Sequence, residues 1–266
     1  MRIKLATWNI NSVRMRLDLV RKLVAQRRPD ILCLQELKAA DEHVPLDALK
    51  ESGGFTHVAV RGQKGYNGVA ILSRVPLADV PHENWCRKGD SRHVCARLPD
   101  GSILHNFYVP AGGDIPDPEA NPKFAHKLQF LREMGDWSGK LDTRSRHIMV
   151  GDLNIAPLPT DVWSHKELLK VVSHTPIEVA HLDRVMGGHG WVDAVRHVVP
   201  PTVNLYSWWS YRAKDWRASD RGRRLDHVWV SPALRDGIRA AEVVKDARDW
   251  DKASDHVPVI ATLDLE

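Results

Sequence analysis

The sequence predicts an α/β fold with mixed or antiparallel sheets, and three observations support this prediction. Short apolar stretches alternate along the chain with amphipathic stretches, as expected for strands and helices that pack in layers. The apolar stretches 93–98 and 103–109 flank a Pro-Asp-Gly turn, which is a β-hairpin signal. The chain shows no internal repeat, so a regular series of βαβ units is not expected.

Each element follows from its local pattern of apolar residues. A short apolar or alternating run predicts a strand, whereas an apolar stripe of helical period predicts an amphipathic helix. The expected strands are residues 3–8, 31–34, 57–60, 69–73, 93–98, 103–109, 147–153, 225–230, 238–244 and 257–263. The expected helices are residues 13–26, 123–137, 162–170 and 177–186.

The composition is that of a globular protein with its own core. Of the 266 residues, 43% are hydrophobic and 27% are charged, which argues against a disordered or fibrous chain. Stretches rich in Pro and Gly are short and scattered, so we expect loops inside one domain spanning 1–266. The cysteines Cys33, Cys86 and Cys95 form no CxxC pair, so reduced thiols are expected rather than disulfides or a zinc cluster.

Charge and targeting signals narrow the class of partner. No apolar run is long enough to cross a membrane, and the N-terminus does not have the pattern of a secretory signal. We therefore expect a cytoplasmic protein with no membrane partner and, by default, a monomer. The net charge of +4 suits a polyanionic partner. The chain has 10 Trp against 4 Tyr and 4 Phe, so a few rings are candidates for stacking surfaces.

Polar residues stand where many of the predicted strands begin or end. Any one of them, read alone, is typical of a turn or a helix cap. Together they suggest a site at the strand ends of an α/β scaffold. They are Asn9, Gln35, Glu36, Tyr108, Asp152, Asn154, Asp226, Asp255 and His256.

Converging carboxylates would call for a cation. If Glu36, Asp152, Asp226 and Asp255 meet, their mutual repulsion must be neutralised. Oxygen and amide ligands without a thiol suit Mg²⁺ or Mn²⁺, and such an ion in a basic protein indicates a phosphate-containing substrate. Asp226 could hold His256 in one orientation, as a carboxylate does for a catalytic histidine.

Seven motifs carry a resemblance to a known family. TWNINSVR, LCLQE, KGYNGVAILS, GDLNIAP, SWWSYR, RGRRLDHVWVS and SDHVPV occur in this order. The chain thereby resembles the exonuclease III family of apurinic/apyrimidinic endonucleases, in the endonuclease/exonuclease/phosphatase superfamily. SWWSYR followed by RGRRLD is the narrower signal for the abasic-site branch. The resemblance implies a four-layered α/β sandwich, in which two mixed, mainly antiparallel sheets pack face to face with helices outside.

The resemblance also implies roles for the candidate residues. Glu36 would be the main metal ligand, and Asn9 and Asp255 would lie near the ion. Asp152 and Asn154 would place and activate the attacking water beside the metal. His256, oriented by Asp226, would bind the scissile phosphate, and Tyr108 would contact the phosphate or assist the leaving group. Whether one metal ion or two take part stays open.

DNA contacts are expected from basic and aromatic residues in loops. Phosphate contacts of this kind supply affinity rather than sequence specificity. Trp208 and Trp209 stand where the family has the wall of its abasic-site pocket, although paired tryptophans are more often core residues. The set of expected DNA contacts is Lys64, Tyr66, Asn67, Arg92, Trp208, Trp209, Arg221 and Arg223.

Two features depart from the family pattern. Asn11 stands where some relatives have an acidic residue near the metal. The loop 111–121 carries Asp114, Asp117 and Glu119 close to where DNA should pass, and its role stays open.

The function implied is a Mg²⁺-dependent DNA repair nuclease acting on double-stranded DNA. It would cut 5′ of abasic sites and remove 3′-blocking groups, 3′-phosphates and 3′-terminal nucleotides. One alternative is a less selective nuclease or phosphatase on the same fold. Another is a catalytically silent DNA-binding module, which would require a missing catalytic residue.

Overall fold

The computed structural model describes residues 1–265. Its strands are β1 (Arg2–Asn9), β2 (Ile31–Gln35), β3 (His57–Arg61), β4 (Val69–Ser73), β5 (Ala78–Asp79), β6 (His93–Arg97), β7 (Ile103–Tyr108), β8 (His147–Asp152), β9 (Val192–Asp193), β10 (Trp208–Trp209), β11 (Gly222–Arg223), β12 (Asp226–Val230), β13 (Ile238–Val243) and β14 (Val259–Asp264). Its α-helices are α1 (Leu17–Arg27), α2 (Leu46–Gly53), α3 (Pro122–Ser138), α4 (His165–Leu168), α5 (Pro176–His189), α6 (Ala194–Val198) and α7 (Trp216–Ser219).

The strands form two six-stranded sheets and a short ribbon. The first sheet has the order β13-β14-β1-β2-β4-β3, the second has the order β5-β6-β7-β8-β12-β9, and β10 pairs with β11. Each large sheet contains one parallel pair, β1–β2 in the first and β7–β8 in the second. Because parallel neighbours end at the same edge of a sheet, the ends of β1 and β2 lie side by side, as do the ends of β7 and β8.

The alternation of side chains along β2 explains the layers. Ile31 and Cys33 point into the core between the sheets, whereas Leu32 and Leu34 pack towards α1 and α2. A third cluster joins the outer face of the second sheet to α3 and α5. The order of layers is helix, sheet, sheet, helix, which confirms the predicted four-layered sandwich.

Several predicted elements differ in extent. The first helix starts four residues later than expected, at Leu17, because Asn11 and Ser12 have φ of 48° and 85° and turn the chain. The prediction of a helix over 162–170 is wrong, since only His165–Leu168 is α-helical there. Helices α2 and α6 were not predicted because each is too short for a clear period. Within residues 1–265, the helices are too short or too polar to cross a bilayer.

Candidate active site

The ends of the two parallel strand pairs meet at one cluster of polar side chains. Asn9 ends β1, Glu36 follows β2, and Tyr108 and Asp152 end β7 and β8. The Asn9 amide donates to Glu36 Oε1 and to Asp152 Oδ2, each at 2.9 Å. The Tyr108 hydroxyl donates to Glu36 Oε1 at 2.7 Å. The structure therefore brings together Glu36 and Asp152, which lie far apart in the sequence.

The backbone is constrained where these side chains leave their strands. Glu36 and Asn154 have φ of 52° and 54°, in the left-handed region that residues other than Gly rarely adopt. Gly151 has φ of 137°, and a Cβ there would lie 1.9 Å from the carbonyl oxygen of Phe107. The GDLN motif therefore requires its glycine for the close approach of β7 and β8. Strained residues of this kind concentrate at functional sites.

Asp152 is fixed by donors on both of its oxygens. The Asn154 backbone N–H donates to Oδ1 at 2.9 Å, and the Asn154 side-chain amide lies 3.1 Å from Oδ2. That amide also donates to the carbonyl of Val109 at 2.9 Å. Burial raises the pKa of Asp152 to about 7. Asp152 is thus held rigidly in a position where a proton is readily exchanged.

His256 lies between two carboxylates. Its Nδ1 is 2.8 Å from Asp226 Oδ2, and its Nε2 is 3.6 Å from Asp152 Oδ2. Ser207, which sequence reasoning missed, donates to Asp226 Oδ2 at 2.6 Å. Burial alone would lower the pKa of His256, but the charges of Asp226 and Asp152 raise it to about 10. His256 is therefore an imidazolium held at a fixed angle.

A lysine that sequence reasoning missed occupies the place of a cation in this cluster. Lys38 Nζ lies 2.7 Å from Glu36 Oε2 and 2.6 Å from Asn11 Oδ1. Asn11 in turn donates to Asp255 Oδ1 at 3.0 Å. Burial would raise the pKa of Glu36, yet the hydrogen bonds from Asn9 and Lys38 lower it overall. The oxygens of Glu36, Asn11 and Asp255 therefore form a position suited to positive charge.

An open groove of about 580 Å³ exposes part of this cluster, including Glu36, Asp152 and His256. Trp208 is partly exposed on one wall, and its Nε1–H donates to Asp255 Oδ2 at 2.9 Å. The Arg223 guanidinium lies 5.1 Å from the centre of the Trp208 ring. The groove is lined by Glu36, Tyr108, Ala111, Gly113, Asp114, Asp152, Asn154, Trp163, Leu168, Val171, Val172, Ser173, Trp208, Ser210, Arg212, Arg221, Arg223, Leu225, Asp255 and His256.

The position of Trp209 does not support the expected contact with DNA. Its side chain is 1% exposed and belongs to the core between the first sheet and its helices. Its Nε1–H donates to Asp220 Oδ1 at 3.0 Å. Adjacent residues of a strand point to opposite faces, so only Trp208 of the pair reaches the groove. Of the two neighbouring tryptophans, Trp208 alone therefore lines the groove beside Arg223, and Trp163 with Arg221 lines it as well.

The remaining expected DNA contacts divide into exposed and internal residues. Lys64 is exposed, as is Tyr66 with 60% of its surface accessible. Asn67 is 3% exposed, has φ of 55° and donates to Gln63, so its side chain holds the turn instead. Arg92 lies over the Tyr108 ring at 4.9 Å.

Only part of the acidic loop faces the groove. Asp114 lines it, together with Ala111 and Gly113. Asp117 accepts a hydrogen bond from the Glu119 backbone at 2.8 Å and so stabilises its own turn. Asp114 is therefore the acidic residue of the loop that a substrate in the groove would contact.

A second group of metal-type ligands lies on the far side of the second sheet. His93, Cys95 and His105 have donor atoms within 4.8 Å of one another. However, His93 Nε2 is hydrogen-bonded to His105 Nδ1 at 3.1 Å, and His105 Nε2 to His147 Nδ1 at 3.0 Å. Burial lowers the pKa of His93 to about 3. These contacts already account for the cluster as a neutral, buried hydrogen-bond chain.

Comparison with known proteins agrees with this fold. Residues 6–256 match the Endonuclease/Exonuclease/phosphatase family. The chain therefore belongs to that family. It is 31% identical to exodeoxyribonuclease III of Haemophilus influenzae, over 97% of this chain and 99% of the relative.

Two solved structures are similar along almost their whole length. An AP endonuclease from Archaeoglobus fulgidus superposes with a TM-score of 0.90 and 32% identity, covering 98% of this chain and 99% of that one. A 3′ phosphatase from Neisseria, solved with a product DNA hairpin, gives the same TM-score, identity and coverage. These relatives confirm the predicted exonuclease III group and the prediction of a nuclease of the hydrolase class.

Proposed function

We propose that this chain is a DNA repair nuclease that hydrolyses the phosphodiester 5′ of abasic sites in duplex DNA. It would also remove 3′-phosphates, other 3′-blocking groups and 3′-terminal nucleotides, acting as a single-domain monomer. The observation that carries this proposal is the meeting of Glu36, Asp152 and His256 in one groove. The names of the relatives, an AP endonuclease, a 3′ phosphatase and an exodeoxyribonuclease, support the same range of substrates.

We propose Mg²⁺ as the cofactor, with Mn²⁺ as a substitute for the same donors. Glu36 would be the main ligand, assisted by oxygens of Asn9, Asp152, Asn154 and Asp255. The donor set is made of oxygens, which suits a hard cation, and the Lys38 ammonium already stands beside Glu36 as a positive charge. When bound, the ion would neutralise charge on the phosphate as a Lewis acid.

The chain's own residues would align the reaction. Asp152 and the Asn154 amide would hold the attacking water, and Asp152 would accept its proton. His256, held by Asp226, would place its positive charge on the scissile phosphate as charge develops there. Burial and the neighbouring Glu36 keep the pKa of Tyr108 well above its usual value, so its hydroxyl stays protonated. That hydroxyl donates to Glu36 in this structure and would turn to the phosphate or the leaving oxygen when substrate binds.

Substrate binding would use the rim and the wall of the groove. Arg92, Arg221 and Arg223, with Lys64 and Tyr66, would contact the phosphate backbone. The Trp208 face would hold a flipped-out sugar that lacks its base, because such a sugar fits where a full nucleotide does not.

A second candidate is a 3′-end-processing enzyme for which abasic cleavage is minor. The observation in its favour is Arg223, whose guanidinium lies against the Trp208 ring where an apolar surface would suit an abasic sugar best. A less selective nuclease or a silent DNA-binding module has no such observation behind it.

The test is cleavage of duplex oligonucleotides with and without Mg²⁺. One duplex carries a tetrahydrofuran abasic analogue, a second has a 3′-phosphate at a nick, and a third is undamaged. Nicking of the first that EDTA abolishes is the expected result. Cleavage of the 3′-phosphate duplex alone would favour the second candidate, and equal cutting of undamaged DNA would favour an unselective nuclease.

A further inference from the structure

A buried ion pair lies directly behind the groove. Lys127 on α3 and Glu178 on α5 both have completely buried side chains, and the Lys127 ammonium contacts Glu178 Oε1. Lys127 also donates to the backbone carbonyls of Asn154 at 2.8 Å and Ala111 at 3.2 Å. One ammonium therefore joins two segments that line the groove to helix α5.

The carboxylate of this pair holds a third segment of the groove. Glu178 accepts the Ser173 backbone N–H with both oxygens at 2.9 Å, and the Thr175 hydroxyl donates to it at 2.6 Å. Ser173 has φ of 91°, an unfavourable conformation for serine, so its backbone requires support. The Ser173 hydroxyl then accepts from Arg223 Nη1 at 2.8 Å, which connects the pair to the groove wall.

We propose that Lys127 and Glu178 are positioning residues, whose ion pair fixes the Asn154 backbone and the 171–173 wall of the active site. This inference rests on the proposed nuclease function. A buried ion pair adds little net stability because desolvation offsets the attraction between the charges. Its directed hydrogen bonds, however, converge on Asn154, Ala111 and Ser173, and Asn154 is the residue that orients Asp152.

The experiment is a double-mutant cycle between this pair and Asn154. The variant Lys127→Met/Glu178→Gln removes both charges together, so no unpaired charge is left in the core. We expect kcat on the 3′-phosphate duplex to fall about 10²-fold, as a small displacement of an aligned group does, with a much smaller change in KM. The second variant, Asn154→Gly, removes the side chain and suits the φ of 54°.

In the Asn154→Gly background the same two substitutions should lower kcat by only a few-fold, because the Asn154 side chain that the ion pair positions is already absent. Equal losses in both backgrounds would show a general structural role and overturn the proposal. If the double variant does not fold, Glu178→Asp, which keeps the charge and shortens the side chain, is measured in the same cycle. A smaller loss that again disappears with Asn154→Gly would support the proposal, and an additive loss would refute it.

Ser138→Ala is the matched control. Ser138 is equally buried on α3, donates to the Val185 carbonyl of α5 at 2.6 Å, and does not line the groove. It should lower the thermal midpoint and leave kcat unchanged. Failure of the proposed function is recognised separately on the unmodified chain, which would then cut no duplex, only the 3′-phosphate duplex, or undamaged DNA equally well.

Discussion

Two groups of buried histidines have opposite electrostatics in this molecule. His256, in the groove, has its pKa raised to about 10. His93 and His147, on the outer face of the second sheet, have theirs lowered to about 3 and about 4. His105, which joins them, also has its pKa well below the usual value. At neutral pH the first group is cationic and the second is neutral.

The difference comes from neighbouring charge and not from depth. Burial disfavours the imidazolium in both groups. His256 faces Asp226 and Asp152, whereas His93 stacks on Phe107 with ring centres 4.1 Å apart and hydrogen-bonds only to another imidazole. Burial alone therefore leaves the imidazoles of the outer face neutral, whereas the carboxylates of Asp226 and Asp152 make His256 cationic.

The largest effect is expected from removing Asp152, the carboxylate beside His256 that we propose activates the attacking water. Asp152→Asn keeps the shape of the side chain but removes its charge and its capacity to accept a proton. We expect kcat to fall by about 10²–10³-fold or more, while DNA affinity is largely kept. Single-turnover cleavage of the abasic duplex and equilibrium binding to the same duplex measure the two quantities. Lost affinity with turnover preserved at saturation would contradict the assigned role.

Replacing Asp226 tests directly whether a neighbouring charge causes the high pKa of His256. Asp226→Asn should lower the pKa of His256 by about one to three units, because an opposite charge at hydrogen-bond distance is lost. NMR titration of the imidazole ring measures this shift, with His147 in the same spectra as the internal reference. A fall in kcat of about 10²-fold should accompany it. An unchanged His256 pKa would mean that Asp226 does not set the charge of the site.

Much of this site could be predicted from the sequence, because its residues follow directly on strongly apolar strands. The stretch ILCLQE and the stretch HIMVGD each end a buried strand in an acid. The two strands belong to different sheets, and the amide of Asn9 at the end of β1 donates to both acids. The four layers followed from the motifs. A buried strand that ends in an acid is a local signal, because it depends only on residues that are adjacent in the sequence.

Residues whose meaning depends on distant partners could not be predicted. Lys127 and Glu178 lie 51 residues apart on two helices, and a charged residue on an amphipathic helix is ordinarily expected to face solvent. Lys38 gains its role only through Asn11 and Glu36. Strand geometry alone already separates Trp208 from Trp209, because neighbours in an extended strand point to opposite faces and both rings cannot line one wall.

A smaller and selective effect is expected at the groove wall. Trp208→Ala removes the only tryptophan of the pair that reaches the groove. Cleavage of the abasic duplex should fall about 10-fold, as loss of one stacking surface does, whereas removal of a 3′-phosphate should fall less. Trp209→Phe is the comparison, because it alters a core ring and should lower stability without changing the ratio of activities. Equal loss on both substrates would make Trp208 a structural residue.

The smallest effect on activity is expected at the neutral histidines on the outer face of the second sheet. His93→Phe keeps the stacking on Phe107 and leaves His105 Nδ1 without its partner, so the free energy of unfolding at pH 7 should fall by about 1–3 kcal/mol. Activity per folded molecule should not change, since His93 does not line the groove.

The pH dependence of stability distinguishes this group from His256. Unfolded histidine binds a proton below its usual pKa, whereas folded His93 does so only below about 3. Between these two pKa values the unfolded state therefore binds more protons than the folded state. The free energy of unfolding should fall as pH drops from about 7 to about 4. Urea unfolding across this range should show a shallower fall in His93→Phe than in the unmodified chain. An unaltered slope in His93→Phe would mean that His93 is already protonated in the native protein, and its contrast with His256 would then be lost.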